Sequence, residues 1–172
     1  MQTTVLEKSS IARDFALVLL GTFVICLSGQ LAIPLWFTPI PLTLQNGTVL
    51  LVAALLGPRR GTAATFAFLA QGALGLPVFS NGGAGFACFL GPKGGYLIGY
   101  LIASALVGYL AERKRPIAAL AAGNLMIYLC GASYLATFIG LSKAFWLGIA
   151  PFVLGDLFKA LATLKILAWK KR

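Results

Sequence analysis

Long stretches of this chain carry no charge. No Asp, Glu, Lys or Arg occurs in the 44 residues from Phe15 to Pro58, or from Gly61 to Pro92, Gly94 to Ala111, Pro116 to Ser142 and Ala144 to Gly155. A membrane-crossing helix needs about 20 mostly apolar residues, within a range of roughly 17–25, so the first block alone is long enough for two crossings. Composition agrees: 59% of the 172 residues are hydrophobic and 10% charged, whereas soluble domains average about 45–50% and 25%. Four acids and fourteen bases cannot clothe a water-facing surface of this size. A soluble enzyme is excluded on that ground. The net charge of +10 would suit a nucleic-acid partner if the bases interleaved with polar and aromatic residues along one face. They sit instead in short clusters between the apolar blocks, which is the pattern of a polytopic membrane protein.

Pro34, Pro39 and Pro41 divide the first block, because proline removes a backbone donor and restricts the residue before it. The reading is an all-α integral membrane protein with six transmembrane helices at about 15–33, 42–57, 61–76, 94–111, 116–140 and 144–167. Structured outer loops join helices 1 and 2 and helices 3 and 4. The chain is read as one six-helix domain over 1–172, with no soluble domain. An even number of crossings puts both termini on one side. That side holds Lys8, Arg13, Arg59, Arg60, Arg113, Lys114, Arg115, Lys170, Lys171 and Arg172, while the other holds only Lys93 and Lys143. The positive-inside rule makes the first side cytoplasmic. The apolar stretch from Phe15 is longer than the core of a cleaved signal peptide, and no small-residue cleavage site follows it. The expected location is the plasma membrane of a bacterial cell, crossed several times.

Few residues are left to carry chemistry. Histidine is absent, which removes Ser-His and Cys-His catalysis and histidine-ligated metals. Cys26, Cys88 and Cys130 are isolated and read as small apolar side chains, neither disulfide nor metal ligands. Neither Gly57-Pro-Arg-Arg-Gly61 nor Gly91-Pro-Lys-Gly-Gly95 has the order of a P-loop. Asp156 and Lys159, three residues apart in helix 6, share a helix face. Either charge alone near a bilayer centre costs about 2.5–3.5 kcal/mol on insertion scales. The pair therefore lines a substrate path or locks helix packing by self-neutralisation. Pro151 and Gly155 just before it loosen the helix and free backbone carbonyls. On the outer side, the 34–42 connection is rigid and aromatic, with Trp36 and Phe37, and the glycine-rich 77–93 loop carries Phe79 and Asn81. Two such loops read as lids over a cavity, or as ordinary re-entrant packing. Gln45 and Gln71 are amides within spans, and Gln71 reads as a bond to a neighbouring helix. Ala12-x-x-x-Ala16 and Gly99-x-x-x-Ala103 have the small-residue spacing that permits close helix approach.

Four ordered motifs go further. Pro39-Ile-Pro-Leu-Thr-Leu-Gln45, Gly72-Ala-Leu-Gly-Leu-Pro-Val-Phe79, Gly91-Pro-Lys-Gly-Gly-Tyr-Leu-Ile-Gly99 and Gly155-Asp-Leu-Phe-Lys159 together resemble the BioY family. These proteins are the biotin-specific S components of energy-coupling-factor vitamin transporters. The resemblance covers nearly the whole chain. It implies a membrane subunit that captures biotin from the outer side, energised by a separate T component and two ATPase subunits, with biotin as cargo and no cofactor. It implies substrate-binding roles for Asn81, Asp156 and Lys159, and also for Gln45 and Tyr96. It implies a T-component contact through Ala12 and Ala16. Lys93 departs from the family, whose members often carry a small hydroxyl residue before the double glycine. Biotin suits these side chains: Lys159 offers a charge to the valerate carboxylate, and Asp156 and Asn81 offer partners to the ureido group. Trp36, Phe37 and Phe79 are candidate covers for the apolar rings. The alternatives are an S component for another small vitamin and, from a different class, a small membrane acyltransferase built around the Gly-Pro-Lys-Gly-Gly loop.

Overall fold

The structure is a computed structural model that describes residues 2–169, with side-chain surroundings from residue 11 onward. Lys170, Lys171 and Arg172, and the side chains of Glu7 and Lys8, lie outside the described residues. The chain begins with α1 (Gln2–Gln30), followed by a two-residue antiparallel pair, β1 (Ala32–Ile33) and β2 (Leu42–Thr43). Next come α2 (Gln45–Ala73), a 3-10 turn (Ser80–Gly82), α3 (Ala87–Leu90), α4 (Gly94–Glu112) and α5 (Pro116–Ile139). The last elements are α6 (Leu141–Gly148) and α7 (Ala150–Trp169). Among the described residues, Ile11–Gln30, α4, α5 and the run Leu141–Trp169 are long and apolar enough to cross a membrane.

Although α2 is one run of helix, it reverses direction. Gly57 adopts φ +80 and ψ 179, a left-handed conformation that side chains rarely tolerate, and Pro58 follows without a donor for the preceding turn. A Cβ built on Gly61 would lie 2.6 Å from the Cα of Ala53. Residues eight apart in a straight helix are about 12 Å apart along the axis, so the two arms are antiparallel. The expected second and third helices thus exist as arms of a hairpin, divided at Gly57 and not across 58–60. Helix 1 ends at Gln30, short of the expected 33, because 32–33 pair with 42–43. For the same reason the first arm of α2 starts at Gln45 and not at 42. Its second arm ends at Ala73, where Gly75 (φ +102) terminates the helix before the expected 76.

The expected sixth helix, 144–167, is two helices broken at Ile149. Pro151 has no N–H to offer the Leu147 carbonyl, and the Phe152 N–H bonds Ile149 O at 2.9 Å. The Leu147 and Gly148 carbonyls are therefore released. They accept bonds from Thr38 Oγ1 and Tyr96 OH, each at 2.8 Å.

Helix α4 packs between α2 and α5, α1 packs on α2, and α7 reaches α2, α5 and α6. Small residues allow this closeness: Gly99 lies against Ile127 and Cys130 of α5, and Ala103 is fully buried. The outward faces are apolar, with Phe15, Leu20, Phe23, Leu129, Leu154 and Phe158 all more than half exposed. Such a surface is stable only against lipid or another apolar partner. Arg60 pairs with Asp14 of α1 at 2.7 Å, and Glu112 lies beside Gly57. The basic groups at 13, 59–60 and 113–115 therefore gather at one end of the bundle.

The Gly57 reversal depends on Gly108 of α4, where an added Cβ would lie 2.5–2.6 Å from Pro58 backbone atoms. Gly108→Val should destabilise the protein by about 1–3 kcal/mol through overpacking. This is read as a lower thermal midpoint in detergent, and an unchanged midpoint would contradict the packing described.

Candidate functional site

Inside the bundle, polar side chains must find partners, because no water replaces them there. Asp156 lies on the inner face of α7 with 5% of its surface exposed. Its Oδ1 accepts from Lys159 Nζ at 2.8 Å. Its Oδ2 accepts from Asn46 Nδ2 of α2 at 2.7 Å and from the hydroxyl of Tyr128 of α5. Lys159 Nζ also donates to Thr43 O of β2 at 2.6 Å, and its stem runs over Gly47, where a Cβ would lie 2.8 Å from Lys159 Cβ. Asn46 Nδ2 additionally reaches Asn124 Oδ1 at 3.3 Å. One carboxylate thus joins α7 to α2 and α5, and its partner lysine joins α7 to the β1–β2 connection.

Two adjoining cavities lie beside this network. The inner one is lined by Asn46, Tyr128, Phe152, Asp156 and Lys159. The outer one is lined by Gln45, Phe79, Ser80, Cys88, Lys93 and Leu97. They share Ile40, Pro41, Thr43, Tyr96 and Tyr100 as walls. The polar atoms are unequally satisfied. Asn46 Oδ1 and Gln45 Nε2 are buried and have no hydrogen-bond partner among the described residues. Asp156 receives three donors, which leaves room for one more on a carboxylate with about four lone-pair sites. In the outer cavity, Lys93 Nζ donates to Ser80 Oγ at 3.3 Å. Burial pushes the Lys93 ammonium below the ordinary lysine range, with Cys88 acting in the opposite direction.

The structure brings Asp156, Lys159, Tyr96 and Gln45 to the cavities. Asn81 is exposed, in a left-handed turn at φ +59, and lines neither cavity. Phe79 is buried in the outer wall and packs edge-on against Phe68 and Phe89. Trp36 is 96% exposed and Phe37 39%, and they contact each other edge-on on the outside. The 34–42 connection does cover the site, but through Ile40 and Pro41. Gln71 accepts from Cys26 Sγ of α1 at 3.8 Å, a neighbouring-helix contact. Ala12 and Ala16 are exposed, unlike the equally spaced Gly99 and Ala103. Sequence reasoning missed Asn46, Tyr100, Tyr128 and Asn124. The signal for Asn46 and Asn124 was the same as for the glutamines, an amide within a span.

Residues 1–172 match the BioY family. A probable biotin transporter BioY from Pyrococcus horikoshii is 40% identical over 157 residues, which cover 91% of this chain and 94% of the relative. The biotin transporter BioY of Rhizobium etli is 37% identical over 164 residues, 86% of this chain and 87% of that protein. The crystal structure at 2.1 Å of the S-component for biotin from an ECF-type ABC transporter matches with a TM-score of 0.87 at 31% identity. That match covers 95% of this chain and 94% of the other.

Truncating one member of a buried ion pair costs about 3–5 kcal/mol, whereas replacing both by apolar or neutral groups is often tolerated. Asp156→Asn alone should therefore lower the thermal midpoint of the ligand-free protein strongly. The double change Asp156→Asn with Lys159→Met should recover at least half of that loss. No recovery in the double variant would mean that the two charges are not coupled.

Proposed function

This chain belongs to the BioY family, and we propose from that membership and the paired cavities that it binds biotin as the S component of an ECF-type transporter. The family is one of transporter components, not of enzymes. The observation that supports the reading is the set of buried polar atoms left open on residues that line the cavities: Asn46 Oδ1, Gln45 Nε2 and the remaining lone pair of Asp156. A buried polar group without a partner costs about 1–3 kcal/mol. A ligand with N–H donors, a carbonyl and an apolar ring system between tyrosines relieves that cost. Biotin has these groups. Asp156, Asn46 and Gln45 serve as hydrogen-bonding groups, Lys159 holds Asp156 and the 42–43 strand in place, and Tyr96 and Tyr100 form the apolar wall. Asn81 is a rim residue in this reading, and Phe79 backs the outer cavity.

The protein is a multi-pass membrane protein. We count six crossings, α1, the two arms of α2, α4, α5 and the α6–α7 run, and take them as one membrane domain. The basic end faces the cytoplasm by the positive-inside rule, so biotin enters from the opposite, outer side of the cell membrane. A T component and two ATPase subunits supply the energy, and the exposed Ala12–Ala16 face of α1 is where the T component packs.

Purified in detergent and titrated with biotin, the protein should show saturable binding that other water-soluble vitamins at equal concentration do not displace. Absence of saturable binding by a folded preparation would sink the reading, and preferential binding of another vitamin would reassign the cargo. Topology is checked with single cysteines on a background lacking Cys26, Cys88 and Cys130. Lys143→Cys should react with an impermeant maleimide on intact cells and Arg113→Cys only after lysis; the opposite pattern would reverse the orientation.

A further inference from the structure

Charge accounting separates the two lysines that reach the cavities. Lys159 is neutralised: Asp156 Oδ1 stands 2.8 Å away and Thr43 O takes a second of its protons. Lys93 is not. Among the described acids, Asp14 pairs with Arg60 and Glu112 lies against Gly57 at the basic end, while Asp156 holds Lys159. Among the described residues, the bond that the Lys93 ammonium makes is to the neutral Ser80 hydroxyl. Its surroundings are half-buried and apolar, with Phe79, Leu97, Ile40 and Pro41 on the cavity walls. A cation so placed without a counter-ion is costly. Gln45 also lines this cavity, but its unpartnered amide nitrogen lies on the side of Gly29 of α1. The Tyr96 hydroxyl, a further wall group, is spent on Gly148 O. The outer cavity thus presents donors and positive charge, and the inner one presents acceptors, Asn46 Oδ1 and Asp156.

We propose that Lys93, with Ser80, forms an anion subsite that receives the carboxylate of the bound ligand. The ureido end then turns inward to Asp156 and Asn46. This rests on the biotin reading above and names the recognition of its carboxylate. The aliphatic chain of the ligand crosses the shared wall of Tyr96 and Tyr100, where the Tyr96 hydroxyl is taken by Gly148 O. A carboxylate entering the outer cavity supplies the missing counter-charge, so the free acid is selected over neutral derivatives. Lys159, already paired, contributes no such selection.

The test is a comparison of biotin with biotin amide, in which a neutral carboxamide replaces the carboxylate. A hydrogen bond to a charged group is worth about 1.5–3 kcal/mol, so the unsubstituted protein should prefer biotin by roughly 10–100-fold. Lys93→Gln should still bind the amide saturably but lose the preference, with biotin weakened more than the amide and the two ligands within about threefold. Retained amide binding also reports that the variant is folded. Lys93→Arg should keep the preference. Three results overturn the proposal. One is a Lys93→Gln protein that keeps the original ratio, in which case the biotin reading survives. Another is a Lys159→Gln protein that loses the ratio while Lys93→Gln keeps it, which puts the carboxylate at the inner end. The third is a folded, unsubstituted protein that binds neither molecule, which removes the biotin reading as well.

Discussion

The buried carboxylate of Asp156 is the constraint around which the bundle is arranged. Helix α7 presents mostly outward apolar side chains, Val153, Leu154, Leu157 and Phe158 among them, and it buries little against its neighbours. Hydrophobic burial therefore does little to fix its rotation, because lipid solvates those faces as well as protein does. A carboxylate in such surroundings cannot be left unpaired. It takes donors from Asn46 on one side and Tyr128 on the other, and Lys159 carries the connection on to Thr43. The position of α7, the start of α2 and the β2 strand are thus fixed by one group, and the inner cavity is the space those elements enclose.

Backbone irregularity is met by the same economy. A helix broken within a membrane exposes carbonyls that need partners. The break at Ile149 releases Leu147 O and Gly148 O, and the groups that satisfy them are Thr38 of the outer connection and Tyr96 of the shared cavity wall. The break consequently positions two parts of the site. It pins the connection that sets Ile40 and Pro41 over the cavities, and it fixes the Tyr96 ring between them. At the opposite end, the Gly57 reversal is closed by the backbone approach of Gly108, which seats α4 against both arms of α2.

Much of this was legible in the sequence, and the remainder has physical reasons for being hidden. Uncharged blocks located the helical segments because the cost of a charge in lipid is large and local. The Asp156–Lys159 spacing located the polar centre for the same reason. Helix ends were less visible: Gly57-Pro58 and Pro151 are local helix-breaking signals, but the contacts with Gly108, Thr38 and Tyr96 that fix the reversal and the break are tertiary, and no local propensity announces those. Trp36 and Phe37 stand out in sequence by size. A connection pinned at Thr38 nevertheless turns Ile40 inward and leaves Trp36 outside. Ala12-x-x-x-Ala16 and Gly99-x-x-x-Ala103 are the same motif, yet one is exposed and the other buried. Spacing gives the capacity for close approach, and only the packing order decides which copy is used within the chain.

The unequal satisfaction of the polar groups links stability to binding. Around Asp156, donors and acceptors are matched closely enough to hold three elements without a ligand. A short distance away, Asn46 keeps one amide atom bonded and the other open, and Gln45 keeps its amide nitrogen open. Natural interiors rarely leave such atoms unpaired, and here both occur on consecutive residues at the start of α2 that line the cavities. Filling them stabilises the folded form by mass action. The scaffold is therefore self-sufficient where it must hold its shape and incomplete where it must discriminate. That division requires Asp156 to be paired within the protein and its neighbours not to be, because a carboxylate awaiting a ligand would leave α7 without an anchor.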